Sequence, residues 1–214
     1  MSPRVGLLSP DGSRAGYAER ALELCGLTPV IPGSTAEALD AVDAALLLGG
    51  KIDSLVVSEV VAQAGRGLPV LGIGDGFRLL CESGVLPGRL EANASGRYAC
   101  VDQRVQIVTN DTVWTVAMEP RSEVTLVVNT DAGRFVVDAD TAQRLAGADQ
   151  VVARYIGGDP TGSTHDIAGV TNAAGNVVGL LPDPALCVDD LTGPSVDGRA
   201  FFGSVSRFLS LVSR

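Results

Sequence analysis

The stretch Leu68–Gly88, LPVLGIGDGFRLLCESGVLPG, decides how the rest of the chain is read. Val70, Leu71 and Ile73 form a short apolar run, Gly74, Asp75 and Gly76 a turn, and Phe77, Leu79, Leu80 and Cys81 the start of a helix. Gly84 suits the left-handed cap that ends such a helix. A buried strand, a sharp glycine turn and a helix make the arrangement with which α/β enzymes present a nucleophile at the carboxyl end of a central strand. Here the apex is Gly74, which carries no side chain.

Outward from this stretch, the N-terminal side alternates strands with helices. The pattern predicts strands at Val5–Leu8, Thr28–Ile31 and Ala44–Leu48, with helices at Ala15–Cys25 and Ser54–Arg66. Ser9–Gly12 reads as a turn, and Ser34 with Glu37 as a capping box for a short helix through Ala41. Val57, Val60, Val61 and Ala64 share the apolar face of the Ser54–Arg66 helix. Alternation of this kind implies a parallel sheet covered by helices. After Pro87 the pattern turns β-rich, with strands expected at Val101–Val108, Val124–Asn129, Gly133–Val137 and Gln150–Ile156. A hairpin, Ile167–Thr171 with Asn176–Leu181, follows. Asp140 and Gln143 read as a capping pair for a helix to Leu145. Gly198–Val212 reads as a closing helix with Phe201, Val205, Phe208, Leu209 and Val212 on its apolar face. No repeat, linker or low-complexity segment interrupts residues 1–214, so one domain is expected.

The composition sets limits. The chain has 214 residues, of which 46% are hydrophobic and 19% charged, as in ordinary globular proteins. Its formal net charge of −9 argues against nucleic acid or an anionic membrane as partner. No apolar run reaches the length of about 20 residues that a membrane span needs. Cys25, Cys81, Cys100 and Cys187 show no metal-ligand spacing and read as reduced, mostly buried thiols of a cytoplasmic protein without a metal site.

Several segments together resemble the glutamine amidotransferase subunit of phosphoribosylformylglycinamidine synthase. They are LLLGGKIDS (Leu46–Ser54), the elbow segment Pro69–Gly88, NASGRYAC (Asn93–Cys100), NTDAGRF (Asn129–Phe135), Asp159–Pro184 and the GPSVDGRAFF run into the last helix. The resemblance implies a class I glutamine amidotransferase-like three-layer α/β/α fold, with a central, mainly parallel sheet and a smaller antiparallel portion. It also implies a cysteine–histidine–glutamate triad in active relatives. The family's G-I-C-N-G-F reads Gly72-Ile73-Gly74-Asp75-Gly76-Phe77 here, and its P-H-P-E reads Pro182-Asp183-Pro184-Ala185. Gly74, Asp183 and Ala185 therefore stand at the three triad positions, and Asn129–Phe135 lacks the histidine of a family H-G-E-G-R-F segment. Loss of nucleophile, base and orienter together removes the covalent route to glutamine hydrolysis.

Three functions compete on these residues. The first is a catalytically degenerate subunit that docks on a synthetase-like large chain, with a small accessory subunit, in purine or purine-like nucleoside biosynthesis. In that case no cofactor belongs to this chain, and ATP and Mg are expected on the partner. Docking would use the glycine- and serine-rich loops, with Arg97, Asp159, Thr161, Ser163 and His165 as contacts. The second is an enzyme with rebuilt chemistry in a vestigial cleft formed by Gly49, Gly50, Asp75, Asp131 and Cys187 together with Asp183. Paired carboxylates could bind a cation or work as acid and base. Cys187 with His165, the one histidine, is a further candidate pair, whereas Cys81 reads as core. The third is a small-molecule binding protein.

Overall fold

The computed structural model describes residues 2–9, 15–31, 39–50 and 52–212. The Ser9–Gly12 turn and the Ser34–Glu37 capping box fall wholly or partly outside them.

The first half of the chain builds parallel strands: β1 (Arg4–Leu8), β2 (Thr28–Val30), β3 (Ala44–Leu47) and β4 (Val70–Ile73). Helices α1 (Ala15–Leu24), α2 (Ser54–Gly65) and α3 (Asp75–Glu82) connect and follow them. β5 (Arg89–Glu91), β6 (Ala99–Ile107), β7 (Glu123–Thr130), β8 (Arg134–Val136), α4 (Ala139–Gly147) and β9 (Val151–Tyr155) follow in turn. The hairpin β10 (Ile167–Thr171) and β11 (Val177–Leu180) and the last helix α5 (Arg199–Val212) complete the chain.

The main sheet has the order β2-β1-β3-β4-β11-β10-β9-β6-β7. From β2 to β11 all neighbours pair in parallel. From β11 to β7 every neighbour is antiparallel. The antiparallel strands thus extend the central sheet. Among the described residues only β5 and β8 stand apart, as a two-stranded ribbon. β3, β4 and β11 are buried along their whole length, which is why they read as continuous apolar runs.

Close packing at β4 and β11 depends on residues without side chains. A Cβ on Gly179 would lie 2.0 Å from Phe77 Cδ2, and one on Gly76 would lie 1.9 Å from the Leu47 carbonyl oxygen. Phe77 in turn stacks on Phe135 of β8 at 5.4 Å, so the ribbon is fastened to α3. β7 is an edge strand, but its backbone is engaged by the segment after β11. Thr125 N–H donates to Asp197, Ser195 Oγ donates to the Thr125 carbonyl, and Asp183 N–H donates to the Val127 carbonyl.

Several local expectations change. The α4 cap is Asp138, which accepts from Thr141 N–H, and not Asp140. In α2 only Val60 and Ala64 are fully buried; Val57 and Val61 are partly covered. In α5 Phe202 and Ser204 join Phe201, Val205 and Leu209 inside, while Val212 is exposed. Cys81 and Cys187 are buried, Cys25 is partly covered and Cys100 is exposed, so two of the four thiols are core.

Candidate functional site

Two neighbouring strands, β4 and β11, end at the same point and deliver the site. Gly74 follows β4, and its N–H donates to the Leu180 carbonyl at the end of β11 at 3.0 Å. Gly74 has φ 55° and ψ −111°. A side chain in that region would be strained by about 1–3 kcal/mol, and glycine accepts it. The backbone after β4 therefore makes a sharp strand-to-helix turn at a residue that carries no side chain. Beside it lies Gly49, with φ +91°, after β3; a Cβ there would meet Asp75 Cβ at 2.2 Å. Gly49 and Gly50 both have positive φ, as expected of a tight glycine turn against the elbow.

A cavity of about 30 Å³ opens here, lined by Gly74, Asp75, Asn129, Thr130, Leu181 and Asp183. It has room for two or three waters, since one water needs about 10–15 Å³ of such space. Ligand pockets for small molecules are usually about 300 Å³ or more. The two aspartates predicted to meet do line one cavity, but they are differently placed. Asp75 is exposed and pairs with Arg78 at 3.3 Å, and Arg78 also pairs with Glu82 at 2.7 Å. Asp183 is buried, and its carboxylate accepts from Ala185 N–H at 2.9 Å, capping the short 3-10 turn Pro184–Leu186. Ala185 is buried on that turn and does not reach the cavity lining.

Asp131 is not among the lining groups. It is exposed, and its carbonyl accepts from Asn93 N–H, while its neighbours Asn129 and Thr130 take the place expected for it. Tyr98 was missed by sequence reasoning; its hydroxyl donates to Asn129 Oδ1 at 2.5 Å at the cavity rim. Cys187 is buried behind Asp183. Burial pushes its thiol up to about 11, with nearby Asp183 and Asp102 adding to the effect against hydrogen bonds from Val127 and Ser195. Burial raises Cys81 to about 12, helped by Glu82. Neither thiol is poised as a nucleophile. His165 is exposed on a separate 3-10 turn, where its carbonyl accepts from Arg154, and it is not among the groups acting on Cys187. Among the described residues no group of three or more His, Cys, Asp or Glu could hold a metal ion.

The loops expected to face a partner are folded into one another. Thr161 and Ser163 are buried, and Asp159 accepts from Thr161 N–H, Thr161 Oγ1 and Ser163 N–H. Ser163 Oγ accepts from Phe135 N–H. Ala94 N–H donates to the Thr161 carbonyl, and buried Asn93 donates to the carbonyls of Arg97 and Thr130 while accepting from Gly133 N–H. The side chains of Thr161 and Ser163 are thus interior and structural, a correction to their expected surface role; Arg97 and His165 remain exposed.

Comparison with known proteins bears on this geometry. A family model described as a CobB/CobQ-like glutamine amidotransferase domain matches residues 51–207. A phosphoribosylformylglycinamidine synthase subunit PurQ from Frankia casuarinae is 39% identical over 224 residues, covering 98% of this chain and 96% of the relative. The subunit of the same name from Streptomyces coelicolor is 37% identical over 223 residues, covering 98% and 99%. A chain of the PurLQS structure from Thermotoga maritima superposes with a TM-score of 0.84 at 30% identity, covering 98% of this chain and 100% of that one.

Proposed function

We propose, from the premise that this chain belongs to the CobB/CobQ-like glutamine amidotransferase family, that it is an amidotransferase-like subunit that does not hydrolyse glutamine. It works as a single domain, in the cytoplasm, within a complex built on a synthetase-like large chain with a small accessory subunit. That complex serves purine or purine-like nucleoside biosynthesis, and ATP and Mg belong to the large chain. The observation that carries this reading is Gly74: the elbow keeps its backbone angles and holds no atom able to attack an amide.

Three further features support it. Asp183 places its carboxylate as a cap, Ala185 is turned inside, and the cavity beside Gly74 measures only about 30 Å³. The similarity to PurQ subunits over nearly the whole chain supports the docking role. Without glutamine-derived ammonia the large chain must take nitrogen from free ammonia or another amine. The test is the nitrogen donor of the reconstituted complex. Product formation with ammonium chloride and none with glutamine is expected; turnover with glutamine at micromolar to millimolar levels, lost when this chain is omitted, overturns the reading.

One observation favours a second reading, an enzyme with rebuilt acid–base chemistry: Asp75 and Asp183 line the same cavity. It predicts that Asp75→Asn abolishes product formation while the complex still assembles, whereas the docking role predicts no change. The same small cavity offers a small molecule little room at the elbow.

A further inference from the structure

One edge of β6 is only partly used. The strand pairs with β7 along Ala99–Gln106, but with β9 only over Val105–Ile107. Ile156 N–H then donates to the Arg104 carbonyl, and Gly157 and Gly158, both with positive φ, turn the chain away. Gln103 Nε2 pins that turn by donating to the Ile156 and Gly158 carbonyls, each at 2.9 Å. Among the described residues no strand pairs with the remainder of this edge, from Cys100 to Asp102.

The alternation of an antiparallel pair identifies the free groups. Thr125 and Val127 of β7 direct their backbone away from β6, because Thr125 N–H donates to Asp197 and the Val127 carbonyl accepts from Asp183 N–H. Their partners in register are Arg104 and Asp102, which therefore direct theirs to the β9 side, as the bond from Ile156 to Arg104 shows. Cys100, two residues back, does the same. The N–H and C=O groups of Cys100 and Asp102 thus face outward, and no described residue bonds to them. Cys100, Val101 and Asp102 are all exposed, and a Cβ on Gly157 or Gly158 would meet nothing within 4 Å, so the space beside the edge is open.

Unpaired strand groups in a row are complemented by an extended peptide backbone. Their place narrows which one. Cys100 stands opposite Asn129, and Tyr98, 59% exposed, donates its hydroxyl to the same Asn129, which lines the elbow cavity. A strand laid along Cys100–Asp102 therefore reaches the rim of that cavity, with Tyr98 and Val101 as apolar contacts on its two faces. A second copy pairing through this edge about a two-fold axis fits poorly. The opening is about 10 Å long at roughly 3.4 Å per residue, and each copy would bring its own Ile156–Gly158 turn to one end of it. Pairing Cys100 with Asp102 of the copy would also set both Asp102 carboxylates on one face of the joined sheet. A strand from a different chain meets neither obstacle.

We propose that the β6 edge at Cys100–Asp102 receives an extended strand of the synthetase-like large chain, which joins the main sheet beside the elbow cavity. This rests on the subunit role proposed above. Amide hydrogen exchange of the full-length chain, alone and saturated with the purified large chain, is quenched and read residue by residue. In the free chain Cys100 and Asp102 should exchange fast, and Val101 and Gln103, bonded to β7, slowly. In the complex Cys100 and Asp102 should slow about tenfold or more. Asp102→Pro removes one outward N–H and leaves the bonds to β7 in place, a position where an edge strand tolerates proline. It should weaken association about tenfold at an unchanged melting temperature, and parent-like binding by the folded variant overturns the proposal. Should the variant melt early, the exchange pattern alone decides. Binding of the large chain with Cys100 and Asp102 still fast overturns this edge and leaves the subunit role standing. Failure of the parent to bind the large chain overturns the subunit role itself. Slowing at Cys100 and Asp102 that grows with the concentration of this chain alone overturns the proposal in favour of a second copy.

Discussion

The elbow after β4 and the turn after β11 stand side by side at one end of the sheet, and they are held in different ways. The elbow keeps its backbone: Gly74 holds φ 55° and ψ −111°, and Gly76 and Gly72 are locked beneath it by neighbours that leave no room for a Cβ. The turn after β11 is held by its side chains, with Asp183 as a cap and Ala185 inside. The difference teaches that two turns meeting at one end of a sheet can be held in opposite ways, the elbow by close approach to glycines and the turn after β11 by a side-chain cap.

The largest effect that tests this contrast is at Gly76. Gly76→Ala forces a methyl against the Leu47 carbonyl, which is backbone and cannot yield cheaply, so a loss of about 3 kcal/mol is expected. Thermal or urea unfolding reads it, and a loss below about 1 kcal/mol would show that the corner is soft. Next comes the apex: Gly74→Cys should destabilise by about 1–3 kcal/mol through backbone strain. If it stabilises the chain, the elbow angles are not those described. The turn should be milder, since Asp183→Ala removes a cap and costs about 1 kcal/mol. Smallest is Asp75→Asn, which weakens an exposed pair with Arg78 and should stay within about 0.5 kcal/mol.

The thiols sharpen the same contrast through pH. In the unfolded chain Cys187 ionises near 9.0, whereas burial holds it to about 11 when folded. The folded form gains by keeping this thiol neutral. That contribution is complete below pH 9 and fades between pH 9 and 11 as the unfolded chain alone releases its proton. Unfolding measured across that window should show stability falling, and Cys187→Ala should reduce the slope. At neutral pH, alkylation should label exposed Cys100 and spare Cys81 and Cys187 until the chain unfolds.

The parallel half was legible because buried strands are continuous apolar runs and their glycines fall where helices must approach. The hairpin and α5 were legible for similar reasons, through turn residues and helical spacing. β5 was not: Arg89-Leu90-Glu91 offers one buried residue in three, too little for a period. Asp138 was passed over as a cap because Asp140 and Gln143 satisfied the same pattern two residues later. The 159–163 loop shows a deeper limit. Glycine, serine and threonine announce a loop, but they do not say whether its polar groups bond to solvent or to one another, and here Asp159, Thr161 and Ser163 bond among themselves. Leu191 is the converse case, a single apolar residue among turn formers that the fold leaves 93% exposed.

The central claim is that a preserved elbow without a side chain at its apex yields no glutaminase. It is tested most directly by measuring glutamate released from glutamine by the assembled complex, with the synthetase-like chain alone as the blank. Release equal to the blank, unchanged when Gly74 is replaced by alanine, is the predicted result. Release above the blank that depends on this chain and falls when Asp75, Asp183 or Cys187 is replaced would contradict it.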